Sequence, residues 1–463
     1  MAALNFSGIA SGIDSQAIID STVASARLSR VTPSQNKAGE LQDTNTALTT
    51  LGQKLDTLRT TLQQFTSLSG GGVSKTGTSS RESVVGATAS NAATNGSYDV
   101  TVNSLAKNHT YSFNQTYSDS TSPIQSVGFV GPENVVFTVG TGTNQETVTV
   151  TVTNNTYTVS QFISDFNSAS SKAEASLVNT GTASSPSYKI VISSLYEGTE
   201  KGTIARTSLG ANLTNLVAYS ESAAANSSVT INGIGTVTRS TNSIADVIPG
   251  VSLNLVSAGT ATVKIAEDSA TTTAKLQDFV TAYNDIVKFI AENNQVTRDE
   301  TGTEVKNVFS PLSGTRTDDN ALQALRSNIS SASASSGSVV RVFSDLGITT
   351  ERDGTVKFDT TKLQSALSSE PNSVNQIILT FADSVALTGG TIDKYTRYSG
   401  LLDISINNNK TLITDLNRRI TDAEKQIQRM ADALKERYAR LEGLMSKLQQ
   451  QQSSLSGALG GGR

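Results

Sequence analysis

Leu41, Leu48, Leu55 and Leu62 recur every seven residues. Thr44, Leu51, Leu58 and Phe65 stand three further on, and only Thr44 interrupts the apolar seam. That spacing predicts a helix packed along its length over 41–65. The stretch "LSGGGVS" at 68–74 stops it, because consecutive glycines cannot hold a helix, and a linker is the expected role there.

The period changes from about 75 to 268. Short runs rich in Val, Thr and Ile are punctuated by Gly, Asn and Ser. "SYDVTVNSL" and "ETVTVTVTNNTYTV" alternate apolar and polar positions, the mark of half-buried strands. Asn154-Asn155 is the expected hairpin turn within the second run, and "VSQFISDFNSA" at 159–169 is expected as one short helix. Recurrent turns and sparse charge predict one all-β domain or a pair of them.

Helical spacing returns at 270–294, where Leu276, Phe279, Tyr283, Ile286 and Ile290 repeat at three and four. A second helix is expected within 308–335. Asp353-Gly354 lies between two alternating runs and predicts a hairpin. "TTKLQSALSSEP" then reads as a short helix ending before Pro371. In the last segment Ile406, Ile413, Ile420, Ile427, Leu434, Leu441, Leu448 and Leu455 fall seven apart without a break. A helix over 402–455 would be a rod of about 80 Å. Apolar residues at flanking positions, Leu412, Ala431, Tyr438 and Met445, widen its face beyond a two-stranded seam, which points to a multi-helix bundle. The pattern as a whole predicts an α+β multidomain protein: a discontinuous helical bundle from both termini with β-rich domains inserted between them.

Composition removes most chemistry. The chain of 463 residues has no Cys, no Trp and one His, with a net charge of -4. Disulfides, thiolate catalysis and Cys-based zinc sites are excluded, as are His-metal clusters and a Ser-His-Asp triad. His109 in "KNHTYSF" is expected as a surface strand residue. Asp14, Asp318, Asp319 and Asp353 read as isolated acids or cap and turn formers rather than paired carboxylates. No apolar run is long enough to span a membrane, and no clustered basic face suggests nucleic acid. The mixed charges of the last helix read as a solvated face, with Arg437 on the seam as the exception. The opening "NFSGIASGID" lacks the basic and apolar regions of a cleavable signal. Its Phe6, Ile9 and Ile13 are expected to be mobile in a free subunit.

Six segments, in order along the chain, resemble the flagellar filament cap family, also called flagellar hook-associated protein 2. They are "SGIASGIDSQAIID", "ATNGSYDVTVNSLAKNH", "INGIGTVTRSTNSIADVIPGVSLNL", "LQDFVTAYNDIV", "LGITTERDGTVKFDTTKLQSAL" and "ERYARLEGLMSKL". The chain departs from the family's usual E-R-x-P step near the start, having Ala26-Arg27 with Pro33 later, and it has a Gly-rich end. The resemblance implies an extracellular, non-enzymatic assembly factor without cofactors, passed unfolded through the flagellar export channel. It would form a homo-oligomeric ring of four to six subunits at the filament tip, promote flagellin polymerisation and prevent leakage of exported monomers. The hook–filament junction protein and a cytoplasmic export chaperone at the C-terminal helix are further candidate partners. Neither nucleic acid nor membrane is implied.

On this scheme residues 1–40 are an N-terminal leg segment, largely disordered when free. Residues 41–74 are the N-terminal helix of the helical domain, and 75–268 form two β-rich head domains. Residues 269–400 complete the helical domain with a hairpin near 346–359. Residues 401–463 are a coiled-coil leg with a disordered Gly-rich tail. The residues expected to pack the leg are Leu48, Leu51, Leu55, Leu58 and Leu62 with Ile420, Ile427, Leu434, Leu441 and Leu448. The alternative reading is a flagellar-tip adhesin whose Ser/Thr/Asn-rich strands bind host mucin or glycans.

Overall fold

The computed structural model describes residues 12, 14–125, 127–129, 131–299 and 306–460. The chain forms two units, one from the N-terminal residues through Thr66 together with Thr273 onwards, the other spanning Ser67–Thr272. Phe6, Ile9 and Ile13 of the opening segment lie outside the described residues.

The first unit is mainly helical. It begins with α1 (Ser15–Arg30) and α2 (Thr32–Gln63). Residues 15–30 and 32–40 are therefore helical, within a segment, 1–40, expected to be largely disordered when free. Asp14 supplies the reason, because its carboxylate caps α1 by accepting from Ala17 N–H at 3.0 Å. Pro33 stands in the first turn of α2, where its missing N–H costs nothing.

The second unit runs through β1 (Lys75–Ser79), β2 (Val85–Ala89), β3 (Gly96–Ser104), β4 (Asn108–Phe113), β5 (Glu133–Val139), β6 (Glu146–Val152), α3 (Val159–Ala169), β7 (Ala173–Asn179), β8 (Tyr188–Glu197), α4 (Gly198–Gly202), β9 (Ile204–Leu209), β10 (Tyr219–Ser222), β11 (Ser227–Ile231), β12 (Gly235–Arg239), β13 (Ser243–Ile248), β14 (Val251–Leu255) and β15 (Gly259–Glu267). A 5-stranded sheet, β1-β15-β3-β11-β12, and a 3-stranded sheet, β13-β14-β2, enclose a core that includes Val100, Val102, Val229, Leu253 and Val263. A second core holds Phe113, Phe137, Phe162, Phe166 and Ile192, among β10-β4-β8-β7, β6-β5-β9 and α3. Strands of opposite direction pass between the two cores side by side, where Lys107 bridges Ala225.

Three expectations need correction here. Gly71, Gly72, Val73 and Ser74 are buried rather than a free linker. Asn91 donates to Gly71 O at 3.1 Å, and Ser74 N–H donates to Thr272 Oγ1 at 3.0 Å. Asn154-Asn155 does not turn a hairpin. β6 ends at Val152, Asn154 Oδ1 accepts from Thr156 N–H at 2.9 Å, and Thr158 with Gln161 forms the capping box of α3. His109 is buried, not on the surface. It shares the inward face of β4 with Tyr111 and Phe113, its Nδ1 accepts from Ile204 N–H at 3.2 Å, and its Nε2 stands 3.4 Å from Glu221.

The helical unit resumes with α5 (Ser269–Asn293), a hairpin of β16 (Val296–Asp299) and β17 (Lys306–Phe309), then α6 (Thr317–Ser331). The Asp353-Gly354 turn joins β18 (Ile348–Thr350) to β19 (Val356–Phe358). α7 (Thr360–Ser369), α8 (Pro371–Ala386), α9 (Thr391–Thr396) and α10 (Leu401–Gly460) complete it. Pro371 opens α8 as well as ending α7. Val374, Ile377, Ile378, Phe381 and Val385 line the buried face of α8. Phe381 meets Phe279 and Phe343 edge-on, with ring centroids 5.2 and 5.1 Å apart. α10 remains helical through Gly460, so of the Gly-rich tail expected to be disordered only 461–463 lie outside the described residues.

Candidate functional surface

α10 is the longest helix described, and its neighbours change along it. α1 and α2 run antiparallel to it. Gly52 approaches Leu402 so closely that a Cβ there would lie 3.4 Å from its Cδ1. Asn409 donates to Asn45 at 2.9 Å, and Arg27 pairs with Glu424 at 3.0 Å. These contacts fix the register: each step toward the N-terminus on α1 and α2 is a step toward the C-terminus on α10.

That register separates the two expected sets of packing residues. Leu48, Leu51, Leu55, Leu58 and Leu62 are all buried. Past Gly52, however, α2 runs beyond the beginning of α10 and packs on α8 and α9. Arg59 marks this end, donating to Ala386 O at 3.1 Å and standing 3.6 Å from Asp393. The α2 leucines therefore do not meet Ile420 to Leu448. Their row is one side of the helical core.

The α10 residues divide among themselves. Ile427 is buried and Ile420 and Leu434 are half-buried, in the stretch that faces α1. Ala431 and Ile19 are buried there too. Leu441 and Leu448 are exposed in the single chain. With Leu444, Met445 and Leu455 they form a stripe at helical spacing, Leu448 being 57% and Leu444 62% exposed. The physical reason is the register: α10 continues past the start of α1 at Ser15. Arg437, the charged seam residue, is likewise exposed.

The segments singled out in the sequence have definite structural work. Tyr283 and Asn284 on α5 hold the β18–β19 hairpin. Tyr283 Oη donates to Gly354 O at 3.3 Å, and Asn284 exchanges two hydrogen bonds with Val356. Asp353 Oδ1 accepts from Thr355 N–H and its hydroxyl, which holds its carboxyl below the ordinary carboxylate range. Asn242 ties the two β cores together. It donates to Ala106 O at 3.0 Å and to Glu197 at 2.9 Å, and accepts from Ala106 N–H. Among the described residues no group of acids or His is placed to hold a metal ion, and no helix is long and apolar enough to cross a membrane.

Two sequence profiles of one family match this chain. The flagellar hook-associated protein 2 N-terminus matches residues 11–109, and the flagellar hook-associated protein 2 C-terminus matches residues 224–450. The chain belongs to the flagellar hook-associated protein 2 family. Membership makes it a filament cap protein of the bacterial flagellum, an extracellular component of the filament tip. It is 27% identical to the B-type flagellar hook-associated protein 2 of Pseudomonas aeruginosa over 485 residues, covering 97% of each chain. It is 24% identical to the flagellar hook-associated protein 2 of Escherichia coli K12, covering 98% of each. In fold it is similar to the crystal structure of the flagellar cap protein FliD D1-D2-D3 domains from Escherichia coli, with a TM-score of 0.59 at 21% identity, over 79% of this chain and 99% of that one.

Proposed function

We propose that several copies of this chain assemble as a ring at the distal end of the filament, where the ring promotes flagellin polymerisation and retains exported monomers. The role is structural rather than catalytic. The β-rich unit supplies the plate of the ring, and the helical unit contacts flagellin. Four to six copies, the hook–filament junction protein and an export chaperone at α10 belong to the same proposal.

The single observation that carries this reading is the exposed stripe of Leu441, Leu444, Met445 and Leu448 on the part of α10 that continues past the start of α1. Apolar surface left in water is worth roughly 25 cal/mol per Å² when another surface covers it, and contiguous exposed apolar patches mark interaction sites. Neighbouring legs of the ring and flagellin are the surfaces assigned to it.

The test is Leu441→Asp with Leu448→Asp in the flagellated source strain. Both residues are exposed, so the purified protein should fold normally while cells stop extending filaments and release flagellin into the medium. Filaments of normal length in that strain would overturn the proposal.

A further inference from the structure

The chain contains two Asn-Gly steps, Asn95-Gly96 and Asn232-Gly233, and the fold treats them differently. Asn232-Gly233 forms the tip of the β11–β12 hairpin. Both residues have positive φ, 50° and 67°, and Ile234 N–H donates to Ile231 O at 3.0 Å, which closes a type I′ turn. Asn232 and Gly233 are exposed, as is Ile234 beside them. Nothing lies within 4 Å of where a Gly233 side chain would begin. The Gly233 N–H makes no hydrogen bond among the described residues. The Asn232 Oδ1 accepts from Asp99 N–H at 2.8 Å, which draws electron density from the side-chain carbonyl carbon.

Asn95 is also exposed, but Gly96 after it is half-buried and lies within the sheet. The Asn95 amide donates to Glu267. Gly96 begins β3, opposite Ile265 in the ladder, under the ring of Tyr98. Strand pairing fixes the backbone that would have to move.

We propose that Asn232-Gly233 is a spontaneous modification site, converting to aspartyl and isoaspartyl forms in the folded protein while Asn95-Gly96 is preserved. Hydroxide removes the Gly233 amide proton, and the nitrogen attacks Asn232 Cγ. The bond from Cγ to the side-chain nitrogen breaks, and that nitrogen takes a proton from water and leaves as ammonia, which regenerates hydroxide. One water then opens the cyclic imide at either carbonyl. Opening one way gives aspartate, which keeps an oxygen for the Asp99 N–H but sets a carboxylate near Asp99. Opening the other way gives isoaspartate, whose extra main-chain methylene breaks the turn between Ile231 and Ile234 and loosens the edge strand β12. The inference is independent of the assembly role.

The experiment is peptide mapping by mass spectrometry of the full-length protein aged at 37 °C and mildly alkaline pH, folded and in denaturant. In the folded protein the mass gain of amide-to-acid conversion should accumulate severalfold faster at Asn232 than at Asn95. In denaturant the two sites should react at similar rates. Asn232→Gln, which would need a larger ring, should abolish the gain at that position and leave Asn95 unchanged. Equal or slower conversion of Asn232 in the folded protein would overturn the proposal, as would retention of the same difference between the sites in denaturant.

Discussion

Asn284 holds the edge of β19 with both atoms of its side-chain amide. Its Oδ1 accepts from Val356 N–H at 2.7 Å, and its Nδ2 donates to Val356 O at 2.8 Å. One side chain on α5 thus stands where a neighbouring strand would, and satisfies the outer edge of a short hairpin. Removing it leaves a donor and an acceptor unpaired in a partly buried place. Asn284→Ala should destabilise the helical unit by about 2 kcal/mol, read as a drop in the chemical-denaturation midpoint. A midpoint that did not move would show that water replaces the amide at no cost.

Gly354 is fixed by two separate constraints. Its φ is +84°, and a Cβ would collide with the Arg326 guanidinium. Gly354→Ala should cost roughly 2 kcal/mol, the sum of backbone strain and that collision. In an Arg326→Ala background only the strain remains, so the loss should fall to about 1 kcal/mol. Equal losses in the two backgrounds would mean that the collision contributes nothing.

Asp318 is fully buried at the start of α6, and burial raises its carboxyl above the ordinary carboxylate value. Oδ1 accepts from the Thr315 hydroxyl, while Oδ2 has no hydrogen-bond partner among the described residues. An acid raised in the folded state costs nothing when both states are protonated. It costs stability once the pH passes its unfolded value near 3.8. Asp318→Asn should therefore raise the melting temperature at neutral pH, with the gain shrinking as the pH falls toward that value. A gain independent of pH would assign the effect to packing instead.

Along α10 the same substitution should have two outcomes. Ile427 is buried against α1, whereas Leu448 is exposed. Ile427→Asp should cost about 3 kcal/mol or more, and Leu448→Asp should stay within about 0.5 kcal/mol. Circular dichroism melts of the two purified variants make the comparison. A large loss for Leu448→Asp would place a partner on that stripe within the single chain.

Most of this architecture could be read from periodicity. The three-and-four spacing of Leu276 to Ile290, the sevenfold row of α10, the capped segment 159–169 and the Asp353-Gly354 turn each carry a local signal that tertiary packing does not override. Three features escaped for definable reasons. α1 is rich in Ser and Ala with few apolar residues, so its helix rests on the Asp14 cap and on α10 rather than on its own pattern. α8 followed a proline read only as a stop, although Val374, Ile377, Ile378, Phe381 and Val385 carry helical spacing. His109 looked polar, but it is in phase with Tyr111 and Phe113, and strand alternation would have turned it inward. The leg residues show the limit of a heptad. It marks which face is buried and says nothing of what buries it, so the offset that pairs α2 with the beginning of α10 and leaves Leu441 and Leu448 free required coordinates.

The Arg27–Glu424 pair joins residues 397 apart in sequence. By contrast, Ser67–Thr272 has every strand partner in hand once β15 is present, because β1 and β3 both pair with it. The two units therefore have different timetables in a chain that becomes available from its N-terminus. The β unit can close while the α2 leucines still lack α5, α8 and α10. Closing a loop of that length adds little equilibrium cost, since the entropy grows only logarithmically, but contacts so distant in sequence form slowly. The row from Leu48 to Leu62 then waits for cover until α8, α9 and the first turns of α10 are present, and that interval is when this chain is most exposed to aggregation or capture.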